Sequence, residues 1–134
     1  LQFENWSLPI VSLQEVEKMT TEGDGVIIDV RDAYRYLGES EPIDLVAGHI
    51  PGAINIPFGE NLDDDNCFLS PEILKNKYKE ILKEGKSENV VIHCGSGVTA
   101  CHTLLAMDYA GLPIPSLYVG SWSEWSRNDL PMIP

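Results

Sequence analysis

The chain has 134 residues, enough for one domain with a substantial core and no disulfide staples. Its 43% hydrophobic content fits an ordinary globular protein, and no apolar run approaches the ~20 residues that span a bilayer. With 21 Asp and Glu against 9 Lys and Arg, the net charge of −12 argues against nucleic acid or an anionic membrane as partner.

Ser12-Leu-Gln-Glu15 is a capping-box pattern and predicts a helix over Leu13 to Met19. Gly23-Asp24-Gly25 marks a turn, and Val26 to Val30 reads as a strand buried on both faces. Asp32 to Leu37 is long enough for a single helical turn, followed by a loop carrying Pro42, Gly48, Pro51 and Gly52. Ala53 to Ile56 is a short strand candidate, and the acidic stretch Glu60 to Asn66 reads as a solvated connection. Ser70-Pro71 opens a helix, with Ile73, Leu74, Tyr78, Ile81 and Leu82 at helical spacing and Gly85 as its stop. Asn89 to His93 is a second buried strand, Val98 to Ala110 a helix ended by Gly111, and Ser116 to Val119 a third strand. Gly120 to Asn128 reads as a short terminal helix in which Trp122 and Trp125 pack and Glu124 caps or pairs nearby. Alternating short apolar strands and helices argue an α/β fold with a mostly parallel sheet.

The three cysteines, Cys67, Cys94 and Cys101, are an odd number in a domain that needs no bridges. That favours a reducing compartment, the cytoplasm or an organellar matrix. Cys94 stands at the end of the second buried strand, ahead of Gly95-Ser96-Gly97 and a helix start. Ligands of open parallel sheets bind beyond such carboxyl ends. Two glycines let successive N–H groups turn toward one point, and the helix terminus adds its positive end. An anion at the centre of that loop is stabilised, a thiolate among the candidates.

Four chemistries compete for such a cysteine. A phosphatase of the His-Cys-x₅-Arg type needs an arginine clamp where this chain has Ala100. Zinc would draw on His93, Cys94, Cys101 and His102, but these lack the paired-ligand spacing and sit on two elements, so no metal is expected. In that reading Cys101 packs within its helix and His102 lies at the surface. Disulfide exchange wants Cys-x-x-Cys, which does not occur. Sulfur transfer asks only for a nucleophilic thiol and a ring of donors that matches a persulfide monoanion.

The stretch CGSGVTAC, Cys94 to Cys101, resembles the active loop of the rhodanese superfamily, and its Gly-Ser-Gly form is most similar to the mercaptopyruvate sulfurtransferases within it. IIDVRDAYRYLG (Ile27–Gly38), AGHIPGAINIP (Ala47–Pro57), SPEIL (Ser70–Leu74) and GSWSEW (Gly120–Trp125) resemble further segments of the family in the family's order. The resemblance implies a three-layer fold with helices on both sides of the sheet. It implies a sulfurtransferase without cofactor, taking sulfane sulfur from a small anionic donor, 3-mercaptopyruvate or thiosulfate, through a Cys94 persulfide to cyanide or a thiol acceptor. Cys94 would then carry the sulfur, Ser96 assist proton transfer, and Gly95, Gly97, Val98 and Thr99 line the binding loop. Arg35 would bind the donor carboxylate, where its residue type alone also allows a surface or ion-paired arginine. Arg31 reads as a structural ion-pair partner, and His49 with Pro51-Gly52 as an element that shapes its loop.

Ile43 stands in the stretch where mercaptopyruvate sulfurtransferases carry a second arginine, which keeps thiosulfate open as donor. Those enzymes pair two such domains, so residues 1–134 are expected to form the catalytic, C-terminal one, with 1–9 as linker remnant and a second rhodanese-like domain N-terminal to it. The rival expectation is a non-catalytic sulfur-carrier or interaction module that needs a partner domain.

Overall fold

A computed structural model describes residues 10–22, 25–41, 46–65, 67–84, 90–95, 98–112, 115–128 and 130–133. The capping box forms as the sequence predicts: the Glu15 amide donates to Ser12 Oγ at 3.3 Å and the Ser12 amide to Glu15 Oε1 at 3.3 Å. The helix it opens, α1, spans Leu13–Glu22, one turn longer than its apolar pattern suggests. Ahead of it lies a strand the sequence does not announce, β1 (Ile10–Val11). Next come β2 (Val26–Asp29), the single helical turn α2 (Ala33–Tyr36) and β3 (Ile54–Asn55). The predicted acidic connection begins instead inside a 3-10 turn, Phe58–Asn61, whose Asn61 is buried and hydrogen-bonded to Tyr78 Oη. Helix α3 (Pro71–Glu84), strand β4 (Val90–His93), helix α4 (Val98–Tyr109), strand β5 (Ser116–Tyr118) and helix α5 (Ser121–Trp125) complete the order. The terminal helix is shorter than expected, because the Arg127 and Asn128 amides bond three residues back, to the Glu124 and Trp125 carbonyls, and tighten its end into turns.

Among the described residues five strands form one sheet in the order β1-β5-β4-β2-β3, parallel in every pairing. Parallel strands buried on both faces need helices on both sides. Alternating side chains of β2 and β4 supply two cores. Ile28, Val30, Val90, Ile92 and Cys94 pack with Leu74, Tyr78, Leu104 and Met107 of α3 and α4. Ile27 and Val91 pack on the opposite face with Val16 of α1 and Trp122 and Trp125 of α5. This is the expected three-layer α/β architecture. On α3 the helical spacing picks out Leu74 and Tyr78 correctly, whereas Ile73 is exposed. The Ile81 and Leu82 side chains and Gly85 lie outside the described residues.

The chain runs β2 to β3 toward one edge and then returns to β4 and β5 on the other side of β2. The carboxyl ends of β2 and β4 are therefore adjacent, with Asp29 paired to His93. A parallel sheet opens its ligand crevice at such a reversal.

Candidate active site

Cys94 is the first residue past β4, the middle strand, and is buried. Strand alternation sends its side chain toward the α3–α4 layer and the preceding His93 toward the α1–α5 layer, where His93 meets the edge of the Tyr118 ring. The His93 ring is fully buried, with Nδ1 3.0 Å from the Cys94 carbonyl and Nε2 3.9 Å from the Asp29 carboxylate. Burial, opposed by the Asp29 charge and the Cys94 carbonyl, holds its pKa below that of a free imidazole.

Three backbone groups at the start of the loop are gripped by the first turn of α5. The Cys94 amide donates to Ser121 Oγ at 3.0 Å, and that hydroxyl donates to the Tyr118 carbonyl at 2.8 Å. The Trp122 amide donates to the Cys94 carbonyl at 2.9 Å and the Ser123 amide to the Gly95 carbonyl at 2.8 Å. Ser121 takes φ of 54°, a left-handed backbone that side-chain-bearing residues adopt at a cost. The GSWSEW segment thus does more than pack two tryptophans. Both indoles are fully buried as expected, donating to the Val46 and Pro131 carbonyls. Glu124 pairs rather than caps: its Oε1 accepts from Tyr118 Oη at 2.8 Å. Burial, with the Glu124 hydrogen bond and charge adding to it, pushes the Tyr118 phenol pKa up, so it remains a donor.

The second element brought to the loop is α2. Arg35 lies with its guanidinium against Gly95: a Cβ there would stand 3.0 Å from Nη2 and 3.6 Å from Nη1. Glycine at 95 leaves room for this approach, and a side chain there would press the guanidinium back by a few tenths of an ångström. Arg35 is also ion-paired, its Nε 3.0 Å from Glu41 Oε1 and its Nη2 3.1 Å from Oε2. Glu41 in turn accepts from Arg31 Nη1 at 3.3 Å. Arg31 is buried, as its reading as a structural ion-pair residue requires. It holds Asp29 through Nε and Nη2, donates to the Gly48 carbonyl at 2.6 Å and lies over the Trp122 ring. A buried charge survives only when paired and hydrogen-bonded in this way.

His49 keeps to its expected loop-shaping part. It stacks on Tyr36 at 3.9 Å between centroids, and its Nδ1 is 2.8 Å from the Tyr36 carbonyl. Its backbone bridges Ile133. The expectation for Cys101 and His102 is reversed. Cys101 is exposed, whereas His102 is partly buried between the edges of Phe58 and Phe68.

Among the residues assigned to the site, Cys94, Gly95 and Arg35 come together. Val98 and Thr99 open α4 directly behind them, with Thr99 partly buried. Ser96, Gly97 and Ile43 lie outside the described residues. Glu41 and Ser121 are the residues sequence reasoning passed over. Glu41 is one of 21 acidic residues with no local mark, while Ser121 sits inside GSWSEW, where the two tryptophans are the stronger signal.

The chain matches the profile of the rhodanese-like domain over residues 12–128. It belongs to that family. Of its relatives, a Pseudomonas aeruginosa protein named "Probable 3-mercaptopyruvate sulfurtransferase" is 52% identical over 99 residues, 74% of this chain and 35% of the relative. The thiosulfate sulfurtransferase of Rattus norvegicus is 40% identical over 108 residues, 78% of this chain and 36% of the relative. Among solved structures, the Tum1 protein from Saccharomyces cerevisiae superposes with a TM-score of 0.76 at 29% identity, covering 93% of this chain and 46% of the other. This rhodanese-like domain thus spans about a third of the length of the curated relatives it matches. No helix among its described residues is long and apolar enough to cross a membrane.

Proposed function

We propose that this rhodanese-like domain is the catalytic part of a sulfurtransferase, with Cys94 as the sulfur carrier. The observation that carries the reading is the approach of the Arg35 guanidinium to Gly95, one residue past a cysteine at the carboxyl end of the middle strand. A planar cation at the residue after a candidate nucleophile suits a donor that presents a carboxylate or a sulfur oxyanion. Relatives named for both 3-mercaptopyruvate and thiosulfate support the class, and the Gly-Ser-Gly loop leans toward mercaptopyruvate.

The Cys94 thiolate attacks the donor's transferable sulfur and forms a new S–S bond. With thiosulfate the donor S–S bond breaks and sulfite leaves with the electron pair. With 3-mercaptopyruvate the C–S bond breaks, and the leaving enolate takes a proton to become pyruvate. Arg35 binds the donor's anionic end, and Gly95, Gly97, Val98 and Thr99 line the loop, with Ser96 assisting the proton transfer. In the second half-reaction cyanide or a thiolate attacks the outer sulfur, and Cys94 departs as thiolate. No cofactor enters. The domain's length relative to its relatives supports a tandem protein in which a second rhodanese-like domain completes the site.

The test is to weigh the intact protein after incubation with each donor. Wild type gains one sulfur atom and Cys94→Ser gains none. No gain in wild type, or an equal gain in the variant, overturns the proposal. Loading followed by transfer no faster than from free cysteine assigns the domain to the carrier reading instead.

A further inference from the structure

Resting on that reading, we infer that Glu41 is a positioning residue that holds Arg35 in place to receive the donor's anionic end. Arg31 and Arg35 both converge on this one carboxylate. Glu41 is almost completely buried, with 4% of its side chain exposed, so its charge acts in a poorly screened environment. Two guanidiniums this close repel each other, and the shared carboxylate removes that repulsion. Arg31 is held by Asp29 and the Gly48 carbonyl as well, so of the two guanidiniums Arg35, on the short helix α2, takes both oxygens of Glu41 and Arg31 only one.

The grip also sets orientation. Glu41 takes the guanidinium along its Nε–Nη2 edge, at 3.0 and 3.1 Å. That turns the Nη1–Nη2 end toward Gly95, where the two nitrogens stand 3.6 and 3.0 Å from the position of a Cβ. An anion arriving beside Gly95 therefore faces the Nη1–Nη2 end of the fork and not its side edge. A bidentate carboxylate fixes a guanidinium in plane as well as in place. Asp29, Arg31, Glu41 and Arg35 form a relay from the end of β2 to the rim of the active loop, and Glu41 is the link between the buried pair and the substrate-facing arginine.

A double-mutant cycle with Glu41→Gln and Arg35→Ala tests this, read on two quantities. The first is kcat/KM for 3-mercaptopyruvate, and the second is the Kd of inorganic sulfate as a non-reacting anion. Glutamine keeps the shape and removes the charge. Glu41→Gln alone should weaken both by about tenfold, and in the Arg35→Ala background it should add almost nothing. Glu41→Asp, which keeps the charge, should recover part of the loss. A merely structural role predicts additive losses that follow the melting temperature, and that result overturns the inference. If wild type loads no sulfur from either donor, the sulfurtransferase reading falls. The sulfate arm then decides alone, and additive losses, or no sulfate binding to wild type, overturn the role of Glu41.

Discussion

His93 shows how a single side chain ties the site to pH. Its imidazole is buried beside a carboxylate that Arg31 already satisfies, so burial dominates and its pKa lies below the ordinary 6.5. In the unfolded chain the ring takes up a proton as pH falls through about 6.5, while the folded protein resists until lower pH. The unfolded state then binds more protons, so His93 contributes a loss of stability as pH falls below 6.5. The slope from one such group is at most about 1.4 kcal/mol per pH unit. Melting temperatures measured from pH 7 to 5 should decline in wild type and flatten in His93→Gln; an unchanged slope in the variant would contradict the assignment. At this scale the sequence was legible where a residue's surroundings are local. The buried strand end fixed the places of Cys94 and His93, and the Gly-rich turn marked the loop. The meeting of Arg35 with Gly95 joins residues 60 positions apart, and no periodicity or spacing encodes it. Only the resemblance pointed there.

Among the elements, α5 has the largest effect for its size. Its five residues hold Cys94 and Gly95 by one hydroxyl and two amides. Its own seating depends on Gly120, where an added Cβ would stand 2.2 Å from Glu124 Oε1 and 2.8 Å from Glu124 Cβ. Because φ at Gly120 is −59°, the constraint is space and not backbone freedom. Gly120→Ala should displace Glu124, break its bond to Tyr118 and cost about 1–2 kcal/mol in urea denaturation. In a Tyr118→Phe background that bond is already gone, so the cost should shrink; full additivity would count against this account. The helices and strands were readable in proportion to their contrast. Strands β2, β4 and β5 are apolar runs between turn signals, whereas β1 has two residues and no period to detect. Helix α4 is apolar on nearly every side, VTACHTLLAMDY, so its sequence gave no sign of which face looks outward. That is why Cys101 and His102 exchanged their expected places.

The whole molecule combines a strongly acidic chain with a neutralised site. Net charge is −12, yet Asp29, Arg31, Glu41 and Arg35 balance one another around the loop. Self-repulsion of the exposed carboxylates works against the compact state and is screened by salt, while the buried pairs are screened far less. Raising sodium chloride from about 20 mM to 500 mM, which shortens the screening length to a few ångströms, should therefore raise the melting temperature. A flat or falling trend would place the balance of charge elsewhere. The parallel topology was legible as a class, and its strand order was not, since nothing local says that β1 closes onto β5. The grip of α5 on the active loop also bears on how the protein is made. Cys94 emerges from the ribosome well before Ser121, its hydrogen-bond partner 27 residues downstream. A nascent chain that has exposed the cysteine cannot yet align it. The start of the loop takes its held form only when α5 docks, so a chain stalled before that helix carries Cys94 without the three backbone contacts that α5 supplies.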